Sequence, residues 1–323
     1  MAPRRRCLLL ALLLVASCRG GCRRPPPAPD RLLAGLPEST TFVASVDLAR
    51  VRATSLWSRV AAVAQENPAD QKTLQRLTER TGLDPLRHIH RIMAAFPDDA
   101  RQSGQFALVI EGEGFDEQRL VAYARAETGA KLEGRRHGRH TLYGSGGTSG
   151  FFLGQNRFVL GAGGWADAMA DLADGGKGSA ADNAELLHLV KRVNAGRALW
   201  FAAVVPMDLR RSLMKEPKLE SAGSMTRVAA SADLGPGLEA ELVADLSNAA
   251  DAARLLARIQ TTLKEARRNA KVLMLGLGPY LDALDARADG PALRVKLTLA
   301  EPQVRDLIDR LGAVARLARK GKR

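Results

Sequence analysis

The run from Thr226 to Leu246 reads TRVAASADLGPGLEAELVADL and decides the fold class. Two segments rich in alternating apolar residues flank the turn Gly235-Pro236-Gly237. A turn this short joins antiparallel neighbours, because parallel strands need a crossover of a dozen or more residues. The run therefore predicts a β-hairpin.

Other short strands are predicted along the chain, and most of them are joined by short turns. Strands are expected near residues 42–46, 89–96, 106–111, 131–133, 140–143, 151–153, 157–160, 198–205 and 291–299. Helices are expected at 48–65, 70–81, 117–128, 165–173, 184–193, 207–214, from about 248 to 277, at 280–288 and at 301–319. The pattern predicts an α+β fold with mostly antiparallel sheets and helices packed on one face.

The order of elements begins again near Arg197. Three residues of the first half, Asp47, Arg119 and Arg157, have counterparts in Asp208, Arg254 and Arg294. The alternative explanation is that these matches arise without a duplication, from the alternation of apolar residues that is common in strands and helices. The element order resembles uncharacterised, duplicated α/β envelope proteins of bacteria, and that resemblance implies no activity or site. We expect two similar halves, 37–195 and 196–323, the second ending in a basic tail.

The N-terminus has the features of a secretory signal. Arg4, Arg5 and Arg6 precede an apolar run from Cys7 to Ala16, which ends in Ser17 and Cys18. A basic start, an apolar middle and small residues at a cleavage site are typical of such signals. The run is about ten residues long, whereas a bilayer-spanning helix needs roughly 20. A plain signal with a small-x-small site around Ala16 is the alternative.

The residues Val15-Ala16-Ser17-Cys18 resemble the lipobox of bacterial lipoproteins. The resemblance implies cleavage before Cys18, a diacylglycerol thioether on Cys18, and N-acylation by a fatty acid such as palmitate. Residues 1–17 are then the signal peptide, and the Pro- and Arg-rich residues 18–36 form a tether. Arg19 follows the acylated position. In familiar Gram-negative systems Asp at this position retains the protein in the inner membrane, so Arg19 favours the outer membrane, facing the periplasm.

The formal charge of +13 is concentrated at the ends of the chain. Three of these charges precede Cys18, and eight lie in the tether and the C-terminal tail, so only two remain for residues 25–315. Without a basic face interleaved with aromatic residues, the body is not predicted to bind nucleic acid. The basic ends are suited to anionic lipid headgroups. The three cysteines, at positions 7, 18 and 22, leave the body without a disulfide.

One glycine motif resembles a cofactor site. Gly161-Ala162-Gly163-Gly164-Trp165-Ala166 fits the dinucleotide-binding pattern Gly-x-Gly-x-x-Ala. That site also needs a following parallel strand with an acidic residue about 20 residues on. Helices and a loop are predicted there instead, so the motif is interpreted as a tight strand-to-helix turn, and no cofactor is expected.

The histidines are weak candidates for a metal site. His88 and His90 would share one face of a strand, and His137 and His140 lie in a hairpin with Arg135, Arg136 and Arg139. Neither pair has a Glu or Asp at ligand-like spacing, and His188 stands alone. We therefore predict no metal site, and we interpret the histidines as exposed or hydrogen-bonded groups.

No catalytic group is predicted. The acidic pairs Glu111 with Glu113, Asp98 with Asp99 and Asp282 with Asp285 have ordinary surface spacing. Residues 175–179 resemble a phosphate loop but have the spacing of a flexible linker, and residues 144–150 suggest a mobile hairpin tip. The body has neither a Gly-x-Ser-x-Gly elbow nor a cysteine nucleophile.

These features favour a membrane-anchored envelope lipoprotein with a non-enzymatic binding or structural role. Its expected partners are membrane lipid, through acylated Cys18, and either envelope proteins or an apolar ligand. One alternative is a periplasmic carrier of apolar ligands whose cleft is lined by Val272 to Leu277, a stretch that also suits an ordinary core helix. The other is an envelope hydrolase without a recognisable motif, with a metal at the histidines.

Overall fold

The computed structural model of the protein describes residues 29–64, 68–128, 132–216 and 219–320. The strands are β1 Thr40–Asp47, β2 Ile89–Pro97, β3 Phe106–Gly112, β4 Glu133–His137, β5 His140–Ser145, β6 Thr148–Phe152, β7 Arg157–Ala162, β8 Leu199–Val204, β9 Met225–Leu234, β10 Gly237–Leu246, β11 Leu284–Asp289 and β12 Ala292–Ala300. The helices are α1 Pro29–Leu33, α2 Leu48–Arg52, α3 Trp57–Ala64, α4 Pro68–Thr81, α5 Pro85–His88, α6 Ala100–Ser103, α7 Glu117–Thr128, α8 Trp165–Ala173, α9 Ala184–Arg192, α10 Met207–Lys215, α11 Ala249–Arg268, α12 Ala270–Met274, α13 Gly278–Asp282 and α14 Glu301–Lys320.

All the strands belong to one sheet of twelve, in the order β11-β12-β10-β9-β8-β1-β2-β3-β7-β6-β5-β4. Every pairing is antiparallel. The hairpin that Thr226 to Leu246 predicted is β9–β10. The α+β class with antiparallel pairing is therefore confirmed, and the strands form a single sheet.

The sheet has the same strand order on both sides of its central pair, β1–β8. From β1 outward the order is β2, β3, β7 and β6; from β8 outward it is β9, β10, β12 and β11. The strands β5 and β4 extend only the first side. Arg119 lies in α7 and Arg254 in α11, and each helix follows the third strand of its side. This is the order expected of two similar halves, whose boundaries stay a prediction.

The two faces of the sheet are covered differently along its length. Face A, which carries Val43, Met93, Val109 and Trp200, is packed by α8 and α9 over the strands of the first half and the adjoining β8, and these residues form one buried cluster with both helices. Face B is packed in the second half. There α11 covers Ala244 and Leu293, and α14 covers Leu297 and Leu299. Each half thus has one helix-packed face, which is face A in the first half and face B in the second.

The uncovered face of the second half is charged, as expected for a surface in water. On face A of β10 and β12, Glu241 lies 3.6 Å from Arg294 and 3.8 Å from Lys296. Alternation of apolar and charged side chains is typical of an antiparallel sheet with one solvated face. The second half therefore follows the ordinary pattern.

The folded body begins earlier than predicted. The tether was expected to reach residue 36, but α1 begins at Pro29, and Leu33 and Leu36 are fully buried in the first-half core. Proline is well suited to the first position of a helix, because its missing N–H has no helical partner there anyway. The apolar residues at positions 32, 33 and 36 explain why this segment docks on the core.

Three local predictions differ from the structure. The helix expected at 48–65 is broken after Arg52, where Thr54 Oγ1 donates to the Val51 carbonyl. The helix expected at 280–288 is instead α13 followed by β11, because residues 284–289 alternate apolar and charged and Gly290, with φ +56°, turns the chain into β12. The predicted mobile tip at 144–150 belongs to β5 and β6, joined by Gly146-Gly147 with positive φ at both residues, which suits a two-residue hairpin turn.

Candidate functional site

Cys18, the predicted lipid attachment residue, lies outside the described residues. Its acylation and the preceding signal peptide stay predictions. Among the residues from Pro29 onward that the structure describes, no helix is both long enough and apolar enough to cross a membrane.

The glycine motif forms a strand-to-helix turn. It follows β7, with positive φ at Gly163 and Gly164, and α8 begins at Trp165. In the sheet β7 lies between β3 and β6, and it is antiparallel to both. The parallel crossover that a dinucleotide site requires is therefore absent around this turn. Gly161 lets the backbone of α8 approach β7 closely.

His137 and His140 are brought together with acidic side chains that the sequence analysis missed. His137 Nδ1 lies 3.1 Å from Asp167 Oδ1, and its Nε2 lies 2.7 Å from Asp171 Oδ1. His140 Nε2 lies 3.0 Å from Asp174 Oδ1. The three aspartates lie on one face of α8 and its C-cap, at positions i, i+4 and i+7, and this spacing was a signal available in the sequence.

Arginines complete this cluster and make it an ion-pair network. Arg135 Nη2 donates to both carboxylate oxygens of Asp167, at 2.5 and 2.6 Å. Arg139 donates to Asp174 through its backbone N–H, at 3.1 Å, and through Nε, at 2.8 Å. No group of three or more His, Cys, Asp or Glu in the described part of the chain is arranged to hold a metal ion. The network joins the β4–β5 hairpin to α8.

Acid is expected to loosen this hairpin. The backbone and side-chain hydrogen bonds from Arg139 hold the pKa of Asp174 below its ordinary value of 3.8. A carboxyl whose folded pKa is depressed stabilises the fold above its unfolded pKa, and that contribution is lost as pH falls through the folded pKa. Amide hydrogen exchange of residues 133–145, corrected for intrinsic rates, should therefore accelerate below about pH 4, while that of the β9–β10 hairpin changes less.

The matched variant for this prediction is Asp174→Asn. It should exchange faster than wild type at pH 7 over residues 133–145, and it should respond less to acid. Equal acid sensitivity in the variant and the wild type would show that Asp174 does not hold the hairpin.

The other predicted polar candidates lie in separate places. His88 Nδ1 accepts from the Asp84 N–H at 3.0 Å, and His90 lies 3.9 Å from Glu113. His188 is exposed on α9. Glu111 accepts from Arg157 at 2.7 Å, and Asp282 lies 2.8 Å from Arg267.

The structure also places the glycine-rich loop at residues 175–179 and the apolar stretch from Val272 to Leu277. In the loop that resembled a phosphate site, the Gly178 carbonyl accepts from the Glu38 N–H at 2.9 Å, and Ser179 caps a short 3-10 helix. In the stretch from Val272 to Leu277, Leu273, Met274 and Leu275 are exposed, so these three neither line a cleft nor lie in a core. They project because α11 ends at Arg268 and only the five-residue α12 follows.

The strongest candidate site is on face B of the central strands β8, β1, β2, β3 and β7. Phe201, Ala44, Ala94, Leu108 and Leu160 form one cross-strand row over five neighbouring strands. We call the following residues the central apolar patch, three on each of these strands: Phe42, Ala44, Val46, Ile92, Ala94, Phe96, Phe106, Leu108, Ile110, Phe158, Leu160, Ala162, Leu199, Phe201 and Ala203.

The central apolar patch is only partly covered. All of its residues except Ala162 and Ala203 are partly exposed, whereas Val43, Met93 and Val109 on the opposite face of the same strands are buried. Its aromatic rings lie close together, with centroids 5.7 Å apart for Phe42 and Phe96 and 6.0 Å for Phe42 and Phe201. Contiguous exposed apolar surface of this kind marks an interaction site in soluble proteins.

Helices stand at both ends of the patch. At one end α14 packs on face B, and α3 is tied to α14 by an ion pair between Arg59 and Asp309. At the other end Tyr143, on face B of β5, donates to Glu117 of α7 at 2.7 Å. Arg76 of α4 lies 3.3 Å from Glu127 of α7. Thus α3 is linked to α14 at one end, and α4 is linked to α7 at the other.

Comparisons with known proteins describe the fold alone. No family model matches the chain, and no curated protein matches it. Among solved structures, crystal form III of TP0453 is similar with a TM-score of 0.48 and 11% identity, over 87% of this chain and 97% of that one. Crystal form IV gives 0.47 and 11%, over 88% and 95%.

Proposed function

We propose that the chain is a bacterial envelope lipoprotein, anchored through acylated Cys18 to the outer membrane and facing the periplasm, which acts by binding and not by catalysis. Its binding surface is the central apolar patch, and its ligand is an acyl chain of a membrane lipid. One observation carries this proposal. The uncovered face A of β10 and β12 carries charged residues, whereas every residue of the central apolar patch on face B is apolar, and most of them are partly exposed.

The chemistry of the patch supports an acyl chain as the ligand. Its residues are aliphatic or aromatic at every registered position, so it offers dispersion contacts and no fixed polar group. Five neighbouring strands spaced about 4.8 Å apart give an extended surface, which suits a long apolar ligand. Burial of apolar surface stabilises such a complex by about 25 cal/mol per Å². The acyl anchor would keep the patch close to a supply of lipid.

The lipid proposal is tested by titrating the full chain with a fluorescent 16-carbon fatty acid. Ala94→Gln places an amide at the centre of the patch, and burying that amide under an acyl chain costs about 1–3 kcal/mol. Binding of the fatty acid should therefore weaken about tenfold or more, since 1.4 kcal/mol is tenfold in Kd. Native mass spectrometry of the purified wild type should show co-purifying lipid that Ala94→Gln lacks.

The matched control is Thr298→Gln, which adds the same amide to the solvated face A of β12, where Thr298 is exposed. It should bind the fatty acid as wild type does. Circular dichroism checks that both variants are folded. Absence of fatty-acid binding in the wild type, or equal binding by all three chains, would contradict the assignment of the patch.

A further inference from the structure

A second apolar surface lies at the far end of α11. Met274 is 85% exposed, Leu273 59% and Leu275 39%. We call these three residues the apolar tip. Met274 is the most exposed large apolar side chain in the part of the chain that the structure describes.

The apolar tip is held in place by contacts with α14 and with a buried cluster. Arg310 Nη1 of α14 donates to the Leu275 carbonyl at 2.8 Å, and Gly276 turns the chain with φ +62°. The next residue, Leu277, packs against the buried cluster of Tyr280, Leu299 and Val304. The tip is therefore displayed by a structured turn.

Several basic residues lie close to the apolar tip in sequence, and Arg310 contacts it directly. Arg267 and Arg268 form the last turn of α11, and Lys264 is exposed one turn earlier. Arg267 is paired with Asp282 and Arg310 with Asp306, and Glu265 is exposed nearby in sequence. The sequence after Arg310 contains five basic residues and no acidic one: Arg316, Arg319, Lys320, Lys322 and Arg323.

We infer that the apolar tip inserts into the surface of an anionic phospholipid bilayer. Large apolar side chains flanked by Lys and Arg are the combination that binds at the boundary between headgroups and acyl chains. The sequence after Arg310 adds only basic charges to this end of the chain, and Lys and Arg near a membrane surface are attracted to anionic headgroups. The other exposed large apolar residues, Met207, Leu209, Met214 and Leu219, are each less exposed than Met274 and Leu273, and on α10 Arg211 is paired with Asp208.

This inference rests on the membrane attachment in the proposed function, but not on the central apolar patch. The test is methionine oxidation of the full acylated chain bound to vesicles of phosphatidylethanolamine and phosphatidylglycerol, with flotation as a separate measure of attachment. Peroxide should oxidise Met274 about fivefold or more slowly on these vesicles than in detergent, because insertion removes its sulfur from water. Met207, which is 53% exposed on α10, is the reference within the same chain.

The matched variants are Leu273→Ser with Leu275→Ser in the tip, and Leu209→Ser on α10. The tip variant should lose the protection of Met274, and Leu209→Ser should keep it. If the chain floats with the vesicles while Met274 is oxidised as fast as in detergent, the inference is wrong. That result would still be consistent with attachment through the acyl anchor. Equal protection of Met274 and Met207 from peroxide overturns it as well, since shielding of the whole chain by the vesicle would then explain the slower oxidation. Protection of Met274 that persists in Cys18→Ala supports insertion of the tip independently of the acyl anchor.

Discussion

Replacing Cys18 with alanine is expected to abolish incorporation of a fatty-acid analogue into the chain. The acyl groups of a lipoprotein are carried by the cysteine that becomes the new N-terminus, so the lipobox Val15-Ala16-Ser17-Cys18 leaves no other acceptor. Metabolic labelling of growing cells, followed by gel detection of the labelled chain, measures this directly. The expected change is all or none, because one cysteine carries both the thioether and the N-acyl group.

Cys22→Ala is the matched control, since Cys22 lies four residues further on and lacks an apolar residue three positions before it. It should be labelled as the wild type is. Labelling that persists in Cys18→Ala and disappears in Cys22→Ala would move the attachment site. Labelling of both variants would contradict the lipobox assignment.

Gly161→Val is expected to destabilise the protein by about 3 kcal/mol or more, which is a large part of the stability of an ordinary domain. A Cβ at position 161 would lie 2.5 Å from the Ala166 nitrogen and 3.0 Å from the Ala166 Cα. These are backbone atoms in the first turn of α8, so the helix would have to move. Trp165 and Met169 of that helix are buried in the first-half core, and the shift would disrupt their packing.

Urea unfolding followed by circular dichroism measures the loss. Gly278→Ala is the control, because a Cβ there meets nothing within 4 Å and the residue begins a helix. It should change the free energy of unfolding by less than about 1 kcal/mol. A Gly161→Val chain as stable as the control would show that α8 does not need its close approach to β7.

The sequence was sufficient for the antiparallel α+β class and for one hairpin, but not for the positions of all the strands. The turn at Gly235 to Gly237 predicted β9–β10 correctly, and the alternation in Phe106 to Glu111 predicted β3. The strand β11 was missed because Leu284, Ala286 and Ala288 also suit a helix that continues from Tyr280. The turn Gly290-Pro291 after them, with glycine at its first position, was the signal for a hairpin.

The candidate site was not predictable from the strands themselves. Ala94 and Leu108 alternate with Met93 and Val109 in runs that are apolar on both sides, which is typical of strands buried on both faces. Which of the two faces is packed depends on α8 and α9, which lie more than 50 residues further along the chain. The exposure of the patch is thus a property of helix placement that local sequence does not encode.

The pairing of β1 with β8 sets the order in which the sheet can be completed. Val46 is paired with Leu199, so the edge of β1 that pairs with β8 has no partner until synthesis of the chain has reached about residue 204. An open edge is a template for association with other chains. Because main-chain hydrogen bonds join the two halves in one continuous sheet, the first half alone has an open edge, and β8 closes it.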